Sequence, residues 1–198
     1  MNTDGPDFDT AEQKARDLRL IQKSDSLSLD VRTMEFDLPI VIDTYQHYAE
    51  LTGITVERLE PDKSLQDGYT IIDDDIYLVL YNADVSNSEH LNWTLAHEVG
   101  HIYMGHESDG KIQEIEAHWF AAELLAPESL IRSMAHKTRV RCDTLQYIFG
   151  LSFTAANKRI DGLNRKCAWQ TYKEHELIAK YKETMDNYIN RFTNVLEA

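Results

Sequence analysis

The chain has 198 residues, 42% of them hydrophobic and 27% charged, with a net charge of -14 and a pI near 4.9. This supports one sizeable core with a smaller appended module, while the acidic balance argues against whole-chain affinity for nucleic acid or an anionic membrane. Cys142 and Cys167 are too few for a disulfide framework, Met1 to Asp7 carry no basic and apolar leader, and no run reaches the ~18 apolar residues of a membrane span, so a cytoplasmic protein without a membrane partner is expected.

Residues 1–36 are acidic and polar, with a weak helical pattern from Ala11 to Ile21, and read as a loosely docked, partly disordered extension. From Leu38 to Leu51 apolar residues recur near helical spacing, with Gly53 as a stop, which predicts a helix. Ile54 to Leu59 alternates apolar with polar and reads as a strand. Tyr69 to Ile72 and Ile76 to Tyr81 complete a small antiparallel sheet, joined by the solvated turn Asp73-Asp74-Asp75.

The next helix, Ser88 to Met104, carries His97-Glu98-Val99-Gly100-His101. Histidines four apart project from one helix face and make half of a metal site. Glu98 sits about 100° round the helix, where a carboxylate can take a proton from water, as in the His-Glu-x-x-His arrangement of zinc peptidases. The bland alternative is a chance pattern with solvated rings. Leu95, Ala96, Val99 and Ile102 weigh against it, because they place the pair in partly buried surroundings that demand partners. Gly100 inside the helix marks a close approach, and Gly105 its end.

Two histidines leave the site incomplete. His106 lies five beyond His101 and reads as a helix-end residue. On a wheel of the following helix, Ile112 to Leu125, the residues Ile112, Ile115, Trp119, Phe120, Ala122 and Ala126 mark the inward face. Glu116 and Glu123 fall within that arc, Glu114 and His118 outside it. A carboxylate on an apolar face needs a metal or an ion partner, so Glu116 is the expected third ligand. Glu123 is expected either to hold a histidine's second N–H or to sit in a salt bridge.

Trp93-Thr94-Leu95-Ala96-His97-Glu98-Val99-Gly100-His101, followed by Glu116-Ala117-His118-Trp119-Phe120-Ala121-Ala122-Glu123-Leu124-Leu125-Ala126-Pro127, resembles the ImmA/IrrE family of metallo-endopeptidases over roughly residues 38–165. The resemblance implies an α+β, zincin-like peptidase core with a small antiparallel sheet, a zinc helix and a ligand helix. It implies Zn2+ held by His97, His101 and Glu116, with Glu98 as base. It also implies substrates that are helix-turn-helix repressors, cleaved to release transcription. His118 stands where the family often has asparagine and Trp93 where it often has phenylalanine.

The expected organisation is the extension 1–36, a peptidase core 37–127, a helix-turn-helix-like module 128–166 and a C-terminal helix 167–198. The module is suggested by Gly150 at a turn and Ser152 as a cap, and from Pro127 to Lys166 eight Lys/Arg face three Asp/Glu. DNA binding is therefore a rival, with packing or substrate docking preferred. A stripe through Ile178, Tyr181, Met185, Tyr188, Phe192 and Val195 suggests packing on the parent domain or a homodimer. Ile76 to Tyr81 is expected as the sheet edge on which an extended substrate pairs, and Tyr81, Tyr103 and His118 as candidate oxyanion stabilisers. The other rival is a regulator that captures a repressor without cutting it.

Overall fold

Ile40-Val41-Ile42 is β-branched and Thr44 is a cap residue, and together they divide the expected helix over Leu38–Leu51 into a strand, β1 (Ile40–Thr44), and a helix, α2 (Tyr45–Thr52). The Thr44 hydroxyl accepts the His47 N–H, and Gly53 ends the helix with φ 72°. The computed structural model describes residues 5–59, 67–73, 76–108, 110–165 and 175–196. Among these the fold is α+β, with three strands and nine helices.

Strands β2 (Gly68–Asp73) and β3 (Ile76–Tyr81) form the antiparallel pair expected from their alternation, whereas β1 runs parallel to β3, giving the order β1-β3-β2. The sheet is therefore mixed, and β3 is its middle strand. With both edges of β3 taken, Ile54–Leu59 does not join the sheet as expected. Val56–Leu59 forms instead the single turn α3, which buries Leu59 beside Tyr45 and Leu80. A six-residue alternation satisfies one helical turn as well as a strand. Part of the Asp73-Asp74-Asp75 turn lies outside the described residues.

The expected loose extension is corrected over Phe8–Ile21, which forms α1 against the core. Asp7 caps it by accepting the Thr10 N–H at 3.0 Å, and Ala11, Ala15 and Leu18 are buried. Arg19, which diluted the apolar pattern, is itself wholly buried: Nη1 donates to Leu124 O at 2.6 Å and Nη2 to Leu27 O at 2.6 Å, while its carbon Cζ lies 4.7 Å from the Tyr181 ring centre. Burial lowers its pKa to about 10. A charged residue thus serves as a core tie from α1 to carbonyls of two other segments.

Helix α4 (Ser88–Met104) crosses α5 (Lys111–Leu125) at Gly100. A Cβ there would lie 3.0 Å from Ala117 O and 3.2 Å from the Phe120 ring, which accounts for a glycine in mid-helix. Helices α6 (Glu128–Ala135), α7 (Cys142–Phe149) and α8 (Phe153–Arg165) follow. Gly150 turns with φ 67° and the Ser152 hydroxyl accepts the Ala155 N–H at 3.2 Å, so a short turn joins α7 to α8. Helix α9 (His175–Leu196) buries Leu177, Tyr181, Met185 and Ile189 within the chain, and Lys180 Nζ donates to the carbonyls of Arg19, Leu20 and Gln22 at the end of α1. The side chains of Phe192 and Val195, and all of Cys167 and Trp169, lie outside the described residues. No helix among the described residues is long and apolar enough to cross a membrane.

Candidate metal centre

Helix α4 begins where Asn87 accepts the His90 N–H at 2.8 Å and ends at the left-handed Gly105. Leu95, Ala96, Val99 and Ile102 anchor its inner face in the core. That fixes the rotation of the helix and turns His97 and His101 to one side. Their Nε2 atoms stand 3.1 Å apart, and each side chain is 13% exposed.

The carboxylate that meets them is Glu114, in the first turn of α5. Its Oε2 lies 3.3 Å from His97 Nε2 and its Oε1 3.4 Å from His101 Nε2. The carboxylate of Glu116, the expected ligand, faces elsewhere in this structure: Oε2 lies 2.9 Å from His106 Nε2 and Oε1 accepts the Asp7 backbone N–H at 2.6 Å. The wheel reading sought the ligand on the dry face. Glu114 stands at the wet margin of the cleft, where its side chain is 46% exposed. The signal was present in the sequence: Glu114 and His118 are four apart, as are His97 and His101.

Three donors bound to zinc at about 2.0–2.2 Å and tetrahedral angles lie about 3.3 Å from one another. The His97–His101 separation of 3.1 Å is close to that spacing, and the two Glu114 oxygens face one histidine each, at 3.3 and 3.4 Å. Burial, followed by the neighbouring histidines, lowers the His97 pKa to about 3, so this imidazole is neutral and keeps a ring lone pair. The donor set suits zinc, and the group of side chains able to hold a cation joins His97 and Glu114 with His118 as the third donor in place of His101. The His118 ring packs 4.4 Å from that of His97.

The histidines open on a cleft of about 640 Å³ lined by Gly68, Thr70, Ile72, His97, Glu98 and Glu114, among others. The Thr70 hydroxyl donates to Glu98 Oε2 at 2.7 Å, tying the carboxylate to strand β2. Strand β2, rather than the expected β3, is thus the edge strand beside the cleft. Tyr103 turns its hydroxyl to Asp37, and burial pushes its pKa up, so it is fixed away as an oxyanion candidate.

Glu123 does not reach the histidines. Its Oε1 pairs with Arg159 Nη2 at 2.6 Å and its Oε2 accepts the Glu128 N–H at 3.0 Å, which selects the salt bridge between the two roles expected of it. Thr70 and His106 were missed as contributors. Thr70 arrives from a separate strand, and His106, read as a helix-end residue, folds back only because Gly105 turns the chain.

Comparison with known families matches the Peptidase_M78 model, the IrrE N-terminal-like domain, to residues 49–161, more than half of the chain. The match spans α2 to α8 and includes every donor described above except the N-terminal contacts. No curated protein matches the chain.

Proposed function

Because the chain belongs to the IrrE N-terminal-like peptidase family, we propose that it is a zinc-dependent endopeptidase that cleaves a helix-turn-helix repressor. His97, His101 and Glu114 would hold the ion. The observation that carries this reading is the convergence of those three side chains on the wall of an open cleft. A zinc ion held there would supply Lewis acidity toward a peptide carbonyl and a water molecule.

Glu98 moves the proton. Its carboxylate lines the cleft with its rotamer held by Thr70, accepts a proton from the attacking water and delivers it to the departing amine nitrogen. An extended substrate adds to the outer edge of β2, where Gly68, Tyr69, Thr70 and Ile72 line the cleft and backbone groups of an edge strand can pair. His118, against His97 at the rim, is a candidate to stabilise the oxyanion.

The rival DNA-binding reading is weakened by where the cations of the helical module go. Arg132 pairs with Glu128, Lys137 with Asp186 and Arg159 with Glu123, so these three are unavailable to phosphate. Packing of α9 on its own domain supports a self-sufficient chain over a dimer through that stripe. The test is incubation of candidate repressors with parent and Glu98→Gln protein, read by mass spectrometry. The parent yields two fragments and the variant none. Equal release of the repressor's operator by both, without fragments, would favour capture without cutting.

A further inference from the structure

His106 follows the left-handed Gly105, and its backbone N–H donates to His101 O at 3.1 Å, so its ring folds back over the last turn of α4. There its Nδ1 lies 3.0 Å from His101 Nδ1, while its Nε2 lies 2.9 Å from Glu116 Oε2. The other Glu116 oxygen is held by the Asp7 N–H at 2.6 Å. The three side chains are nearly closed to solvent, at 8% exposed for His106, 11% for Glu116 and 13% for His101.

The partners determine where the protons sit. An ionised Glu116 only accepts, so His106 Nε2 carries a hydrogen. A neutral His106 then presents a bare Nδ1. In that tautomer the 3.0 Å contact between the two Nδ1 atoms is a hydrogen bond when the proton is on His101. His101 is left with its lone pair on Nε2, the atom that faces His97 and Glu114. We propose that Glu116 and His106 are a positioning pair that fixes the tautomer and ring orientation of His101 for metal binding, with the cap of α1 holding Glu116 in place.

This inference rests on the metal-site reading, and its test separates the two. Zinc affinity is measured by chelator competition for the full-length parent, Glu116→Gln, His106→Phe and Glu98→Gln, alongside histidine nitrogen NMR of the zinc-free proteins. Removing a partner that orients a ligating histidine typically weakens metal binding by about 10–100-fold. Glu116→Gln and His106→Phe should show that loss, and Glu98→Gln should stay within a few-fold of the parent. The zinc-free parent should show His101 protonated at Nδ1, and His106→Phe a mixture of tautomers. Parent affinity in both variants with unchanged circular dichroism, or His101 protonated at Nε2 in the parent, would overturn the pair. If the parent binds no zinc but shows the Nδ1–H tautomer, the metal reading fails and the pair stands. Should a variant not fold, the tautomer in the parent decides.

Discussion

Truncating Arg159 to alanine should destabilise the protein far more than a surface substitution. Arg159 and Glu123 are only 6% and 5% exposed, and the Arg159 Nε also donates to Ala126 O at 2.9 Å. Without the guanidinium, Glu123 keeps the Glu128 N–H but remains a buried charge lacking its counterion. Such a loss costs about 3–5 kcal/mol, against about 5–15 kcal/mol for the whole stability of a domain. The assay is urea denaturation with metal chelated in every sample, so that ligand linkage does not enter. Glu123→Gln keeps one acceptor but leaves the buried Arg159 cation without its counterion, so it should cost a similar amount, about 3–5 kcal/mol. Zinc affinity should be unchanged in Glu123→Gln, since that side chain does not touch the histidines. An Arg159→Ala loss below about 1 kcal/mol, the range of exposed pairs, would refute the account of this bridge.

Gly100→Ala gains about 1 kcal/mol of helix propensity but sets a methyl against backbone at the α4–α5 crossing, where overpacking costs about 1–3 kcal/mol. A net loss of stability with weaker zinc binding should follow, because Glu114 lies one turn from Ala117 on the displaced helix; thermal melts and chelator competition check both. Glu114→Ala should abolish zinc binding while circular dichroism stays that of the parent, whereas Glu116→Gln should only weaken it. In the metal-free protein the lowered His97 pKa means that the unfolded chain binds the proton more readily. Stability should therefore fall as pH drops from about 6.5 toward about 3, and melts across that range should show a shallower decline in His97→Gln. Lys180→Met should lower the melting temperature by removing the donor to the final carbonyls of α1.

The zinc helix was legible because every feature of it is local. The histidine spacing, the apolar inner face, Gly100 and Gly105 each carry one physical meaning, and all agree. The ligand helix was legible as a helix, but its register toward the site was not. Choosing Glu116 assumed that a metal carboxylate seeks the dry face, whereas Glu114 stands at the wet margin of the cleft, and Glu116 finds its partners in His106 and the start of α1. The docking of helix α1 on the core was missed because Arg19, which a composition argument assigns to solvent, is a core residue satisfied by carbonyls of Leu27 and Leu124. The parallel pairing of β1 with β3 was equally hidden. A β-branched run of three sits inside a pattern whose helical half begins at Thr44, and only the cap residue marks the boundary.

The central claim is that two adjacent helices bring His97, His101 and Glu114 around one ion with a position left for water and substrate. Anomalous diffraction at the zinc edge from zinc-loaded crystals tests it most directly. The account predicts a single ion about 2.0–2.2 Å from both Nε2 atoms and a Glu114 oxygen, with no fourth protein ligand. Glu116 in place of Glu114, a fourth side chain closing the shell, or no ion between the histidines would contradict it.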